Sequence, residues 1–267
     1  MKKYLCFFRI RFIAGLQYRA AAWAGIATQF AWGAMQILMF WAFYQNGENS
    51  FPMTFPQLSS YIWMQQASLA MFMAWFFDGE IFDSITSGSV AYELCRPCDL
   101  YAMWFTKNMA IRLSRMALRC LPILLVAAFL PAPFGVRLPA STLAGAAFLL
   151  SVTLGFLVLV AFSMLIYISA FYTLSANGIR ILAVSTIEFF AGGVIPLPFF
   201  PEALQPIMYA LPFASMQNTP FLIYVGHTAG GEIVSSIALQ AFWLAALVLA
   251  GRALMKRALK RVVVQGG

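Results

Sequence analysis

Charged residues cut this chain into long apolar runs, and the spacing of the cuts predicts helices of membrane-crossing length. Residues 20–47 carry no charge and contain AAWAGIATQFAWGAMQILMFWAFY. Residues 49–77 are also uncharged and contain LSSYIWMQQASLAMFMAWFF. A crossing helix needs about 20 mostly apolar residues, so these runs predict spans at 20–44 and 58–77. A third span is expected at 108–130, apolar from Cys120 onward but with arginines in its first half. The uncharged run 138–179 is too long for one upright crossing; it predicts a helix over 142–172 and a turn at Ser175, Ala176, Asn177 and Gly178. Two further spans follow at 179–197 and 232–250, the last lying between Glu232 and Arg252.

Ahead of the first span, residues 1–18 mix basic and apolar positions, with Leu5, Phe8, Phe12 and Leu16 near one helical face. That pattern predicts an amphipathic helix lying in the membrane interface. It lacks the separate apolar block and small-residue cleavage site of a signal peptide. The fold class expected is therefore an all-α integral membrane protein with an interfacial helix and six spans, forming one transmembrane domain over 1–267.

Composition agrees. The chain of 267 residues is 62% hydrophobic and 10% charged, against roughly 45–50% and about 25% in ordinary soluble domains. Disorder, collagen and a secreted disulfide scaffold are excluded, and a water-soluble enzyme is disfavoured. Positive charge sets the expected orientation. Lys2, Lys3, Arg9, Arg11 and Arg19 crowd one end, and Arg252, Lys256, Arg257, Lys260 and Arg261 the other, in a basic tail over 251–267. The 1–2 and 5–6 connections carry no Lys or Arg. Both termini are thus expected in the cytoplasm. The net charge of +8 reads as topology and attraction to anionic lipid rather than nucleic-acid binding.

Catalytic signatures are missing. There is no P-loop, no H-E-x-x-H and no G-x-S-x-G, and His227 is the only histidine. Cys95 and Cys98 have C-x-x-C spacing, but no second pair exists to close a zinc site. The chain reads as the membrane part of a machine whose engine lies elsewhere, with no cofactor or metal of its own.

Two segments carry more information. The 2–3 connection, 78–107, places Asp78, Glu80, Asp83, Glu93 and Asp99 against only Arg96 and Lys107. An acidic loop on the basic side suggests a docking surface, where complementary charge fixes register. The 5–6 connection, 198–225, is apolar yet broken by Pro198, Pro201, Pro206, Pro212 and Pro220. Non-helical backbone at membrane depth must be buried in protein or line a cavity. A re-entrant region entered from outside is expected, after a Gly192–Gly193 kink in the fifth span.

These segments resemble the type-2 ABC exporter permeases. GSVAYELCRPCDLY is similar to that family's cytoplasmic signature, in which a glycine leads into a leucine-arginine-proline core. AGGVIPLPFFPEALQPIMYALPF resembles its kinked fifth helix and external re-entrant element. The likeness runs through the whole chain and is closest to the small six-span permeases. It implies an ATP-driven exporter subunit in the bacterial inner membrane, pairing with a second permease as homodimer or heterodimer. Two separate cytoplasmic P-loop ATPase chains would carry the ATP and Mg. By the same resemblance, Glu80, Asp83, Gly88, Glu93, Leu94, Arg96, Pro97 and Asp99 would form the coupling element, while Gly192, Gly193, Pro196 and Pro198 would shape the external gate.

Ionisable groups at membrane depth are functional candidates because they are costly there. Glu188 either meets a cationic substrate or pairs with an arginine to hold one state. Arg112, Arg115 and Arg119 share one face of the third span at i, i+3 and i+7. The first two are expected to snorkel to the inner interface, and Arg119 to need a partner; the strip serves either structural pairing or attraction of anionic lipid or substrate. A carrier driven by an ion gradient through Glu188 is the competing function.

Overall fold

The computed structural model describes residues 2–45, 47, 51–173 and 177–261. Ser175 and Ala176 of the expected turn, and the tail beyond residue 261, fall outside them. The described residues are helical throughout, without strands. The order is α1 (Lys2–Gly15), α2 (Arg19–Tyr44), α3 (Phe55–Phe72), α4 (Gly79–Thr86), α5 (Val90–Leu94), α6 (Leu100–Phe129), α7 (Thr142–Ser169), α8 (Asn177–Phe190), α9 (Gln205–Ala210), α10 (Asn218–Tyr224) and α11 (Gly231–Leu259). Among them, α2, α7 and α11 are long and apolar enough to cross a membrane. At 1.5 Å per residue they run to about 40 Å each.

Helix α3 is the hub. Nearly all of its residues are buried, including the polar Ser59, Ser60, Gln65, Gln66 and Ser68. It packs on α6 and α2, and α7 packs on α11 and α10. A helix apolar and buried on every side belongs in the centre of a bundle. Thr54 and Gln57 form a capping box at its start, with Pro56 in the first turn.

Helix ends are set by identifiable chemistry. Span two was expected to run to 77, but α3 stops at Phe72, where Met73 turns out of helical geometry and the Arg112 guanidinium of α6 serves the Met71 and Met73 carbonyls left without a helix partner. Span five was expected to kink and continue to 197. Helix α8 instead ends at Phe190, and the chain reverses at Gly192 with φ +74°. Pro196 and Pro198 follow and cannot rejoin the helix ladder. Span six was expected to end at 250, but α11 continues as one helix to Leu259. Lys256 and Arg257 in its last turn complement the helix dipole. Helix α6 starts at Leu100, eight residues before the expected span, with the Asp99 carboxylate accepting the Ala102 amide at 2.7 Å.

On α1, Tyr4 and Phe7 turn inward and pack beside the α4–α6 core, whereas Leu5, Ile10 and Ile13 face outward. Of the four apolar residues expected to share a face, Phe8, Phe12 and Leu16 are half-buried and Leu5 is exposed. A helix apolar on its outward side as well suits a lipid interface.

Candidate functional site

The site grows from the break between α3 and α6. Asp78 caps α4 by accepting the Glu80 amide at 3.0 Å, and its own amide donates to the Tyr167 hydroxyl of α7 at 2.7 Å. Gly88, with φ +75°, makes the left-handed turn between α4 and α5 that a side chain would strain. Pro97 and the Asp99 cap then launch α6. The result is a short helical hairpin, α4–α5, seated on the ends of α6 and α7.

The acidic residues help hold this hairpin in place, although Glu80, Asp83 and Asp99 also remain exposed. Lys107 of α6, almost wholly buried, contacts Asp78 at 2.7 Å and Glu80 at 2.6 Å. Arg11 of α1 reaches Glu80 at 3.5 Å. The hydrogen bond and charge of Lys107, aided by Arg11, hold the Glu80 carboxyl below the usual range for glutamate. Glu93 accepts the Trp104 indole N–H at 2.7 Å. Asp99 is spent as a cap, and its amide donates to the Tyr4 hydroxyl at 2.9 Å. Lys3 donates to the Pro97 carbonyl. Among the described residues, Asp83 is exposed and forms no ion pair.

What the hairpin does present is a tip of Tyr92, Leu94, Cys95, Arg96 and Pro97, all exposed, with Tyr92 at 77%. Large exposed apolar side chains beside a cation and a proline are the composition of a binding tip. Behind it, Ile81, Phe82 and Val90 bury themselves against Tyr101, Trp104 and Tyr167. Trp104 stacks on Phe171, and Arg180 of α8 lies over the rings of Phe77 and Phe82. The hairpin thus touches α1, α6, α7 and the start of α8.

Arg112 was expected to snorkel, but it is fully buried at 0% exposure. It donates to Asn108 Oδ1 at 2.7 Å and to the carbonyls of Met71, Met73 and Phe76 at 3.2, 2.7 and 2.9 Å. It is a clamp on the α3 terminus and on the strap leading to α4. Arg115 lies over Phe76 at 3.8 Å from the ring centroid. Arg119 donates to the Ala21 carbonyl of α2 at 3.4 Å. The expected single face divides, Arg112 pointing into protein and the other two towards α1 and α2.

The far end of the bundle is built differently. Asn218 Oδ1 accepts the Leu197 amide and lies 3.1 Å from the Tyr61 hydroxyl, which is also 3.2 Å from the Gly192 carbonyl. Gln65 donates to the Gly193 carbonyl, and Gln36 to that of Val194 at 2.9 Å. Gln240 of α11 donates to the Ser215 and Ser151 carbonyls at 2.8 and 3.1 Å. A Cβ on Gly155 of α7 would collide with the Met216 carbonyl, so the irregular 211–217 chain lies directly on α7. Leu197, Pro198, Met208 and 214–218 are buried. Side-chain amides from four helices thereby satisfy backbone that no helix ladder serves, as burial demands. These glutamines and Asn218 were not singled out from the sequence. Polar residues in apolar spans were the available signal. Glu188 is half-buried beside Gly193 and forms no ion pair among the described residues.

No curated protein matches the chain. A family model described as "ABC-2 family transporter protein" matches residues 30–266, covering α3 to α10 whole together with most of α2 and all the described part of α11. The chain belongs to the ABC-2 transporter family and is a membrane component of an ABC transporter, whose ATPase is a separate chain.

Proposed function

We propose that this chain forms half of the pathway of an ATP-driven exporter in a bacterial inner membrane. In this reading α2, α3, α6, α7, α8 and α11 are the six spans, both termini are cytoplasmic, and α1 lies in the inner interface. A second permease completes the pathway, and two ATPase chains dock from the cytoplasm. The cargo is amphipathic or apolar, in keeping with apolar helix surfaces and the absence of any charged pair among the described residues outside the hairpin.

The observation that carries the reading is the α4–α5 hairpin. It offers an exposed tip for a partner and is fastened by ion pairs and hydrogen bonds to α1, α6 and α7. ATP-driven closure of the ATPases would push that tip. The push passes through Lys107 and Trp104 to α6, through Tyr167 to α7, and through Tyr4 and Lys3 to α1. The spans then move as rigid bodies between two arrangements. The region 191–217 acts as the external gate, sealed by Asn218, Tyr61, Gln65 and Gln240.

The test uses Leu94→Asp with Arg96→Glu, which changes the tip and spares the residues that fasten it. The variant should keep its fold yet lose the ATPase on purification, and cargo should no longer stimulate ATP hydrolysis. Wild-type coupling in this variant refutes the docking assignment. Transport by the chain alone, driven by an ion gradient and abolished by Glu188→Gln, would replace the exporter reading with a carrier.

A further inference from the structure

Between α1, the beginning of α2, the 76–80 strap and α6 lies a cavity of about 600 Å³. Its floor is made of small residues. Ala14 and Gly15 close α1, and Ala21 and Ala22 open α2. One turn on, a Cβ at Gly25 would strike the Arg119 guanidinium, and a Cβ at Gly15 would strike the Ser114 hydroxyl. The corner between α1 and α2 therefore approaches α6 closely and still leaves space.

The charges in this cavity do not balance. Arg11, Arg115, Arg119, Asp78 and Glu80 all line it. Both carboxylates are already engaged by Lys107, and Arg11 has a share in Glu80. Neither Arg115 nor Arg119 forms an ion pair among the described residues. Arg119 keeps only the long bond to Ala21, and its Nε has no partner. Arg115 feels the Asp78 carboxylate, but Lys107 already holds that group, so the two half-buried arginines side by side carry more positive charge than the cavity's acids balance, and an added anion would ease the imbalance. Both are also preset, Arg115 by stacking on Phe76 and Arg119 by its seat against Gly25. A guanidinium fixed in this way is suited to two-pronged binding of phosphate.

We propose that this cavity binds an anionic phosphate group between Arg115 and Arg119. The space far exceeds the ~30 Å³ share of one water molecule, so a phosphate carrying a glycerol and the start of acyl chains fits. Leu118, Ile111 and Phe76 offer apolar wall to such chains. The source as a lipid headgroup rests on the exporter topology, which puts this corner at the cytoplasmic leaflet, where anionic lipid gathers. A free phosphate compound would use the same two arginines.

The experiment measures binding to the purified complex of this chain with its ATPase, stripped of lipid in detergent, and needs no ATP turnover. Its failure is thus separable from failure of the coupling assignment. The probes are dioctanoyl phosphatidylglycerol, glycerol 3-phosphate and inorganic phosphate. Saturable binding of at least one is expected, weakened tenfold or more in Arg115→Gln/Arg119→Gln and to a smaller extent in Arg115→Lys/Arg119→Lys, which keeps the charge and loses the planar fork. Arg137→Gln, outside the cavity, should bind as wild type. Gly25→Ala provides a second variant. It retains both arginines and a helix-favouring residue, yet should weaken binding by displacing Arg119. Phosphatidylglycerol alone binding identifies a lipid site, and competition by the two soluble probes identifies a site for free phosphate compounds. Absence of saturable binding by all three probes, or unchanged affinity in both the glutamine and the Gly25→Ala variants, overturns the proposal.

Discussion

Single residues do two kinds of work here, and both are measurable. Arg112 satisfies three carbonyls, one at the end of α3 and two in the strap that follows it. Removing a partner from a buried polar group costs about 1–3 kcal/mol, so Arg112→Ala should lower stability by roughly 3 kcal/mol or more. A lysine, a point charge without the planar fork, should not restore it. Thermal unfolding in detergent, followed by intrinsic fluorescence, reads both. Gly192 is the second case. Its positive φ costs a side chain about 1–2 kcal/mol, and a Cβ there would meet Asn218 Oδ1 and the Tyr61 hydroxyl at 2.8 Å. Gly192→Ala should therefore destabilise by more than the strain alone, and Gly178→Ala, where a Cβ meets open space, should not. The sequence marked Gly192 and Arg112 as important. Their roles were not legible because each depends on which carbonyl a distant segment brings near.

At the scale of elements, the α4–α5 hairpin is fastened by Lys107 and so should respond to acid. The folded Glu80 carboxyl sits below its ordinary value, so its contribution is present above an unfolded pKa near 4.3. That contribution is lost as pH falls through the folded value. Melting temperatures of wild type and Glu80→Gln should differ modestly at pH 7 and converge below about pH 4. The difference should stay under about 1 kcal/mol because Glu80 is largely exposed. The 211–217 segment gives a complementary test. Gln240→Leu removes donors from the Ser151 and Ser215 carbonyls and should cost about 1–3 kcal/mol. Hydrogen exchange should rise along 211–217 while the hairpin is untouched.

At the scale of the molecule, the two ends of the bundle use different physics. One end is fastened by a buried Lys107–Asp78 pair and by the exposed Glu80, which Lys107 and Arg11 share, the other by neutral amides among buried backbone. Raised salt should weaken the exposed Arg11–Glu80 contact and so loosen α4 from α1, and leave the 211–217 segment unchanged, since screening acts on exposed charge. Exchange mass spectrometry in 0.1 M and 1 M salt would separate them.

The run lengths and charge cuts of the chain by themselves determined a helical membrane protein, because a spanning segment must be long, apolar and internally hydrogen-bonded. They also marked the hairpin and the proline-rich connection, since glycine, proline and acidic clusters interrupt an apolar pattern wherever they occur. Tertiary structure alone decided where helices stop and which charges are free. Arg112 binds the carbonyl of Met73, just past α3, from thirty-nine residues away, and Lys107 engages Asp78 and Glu80 while Asp83 stays exposed and without an ion pair among the described residues. Such pairings depend on distance in space, which linear spacing along different helices does not encode.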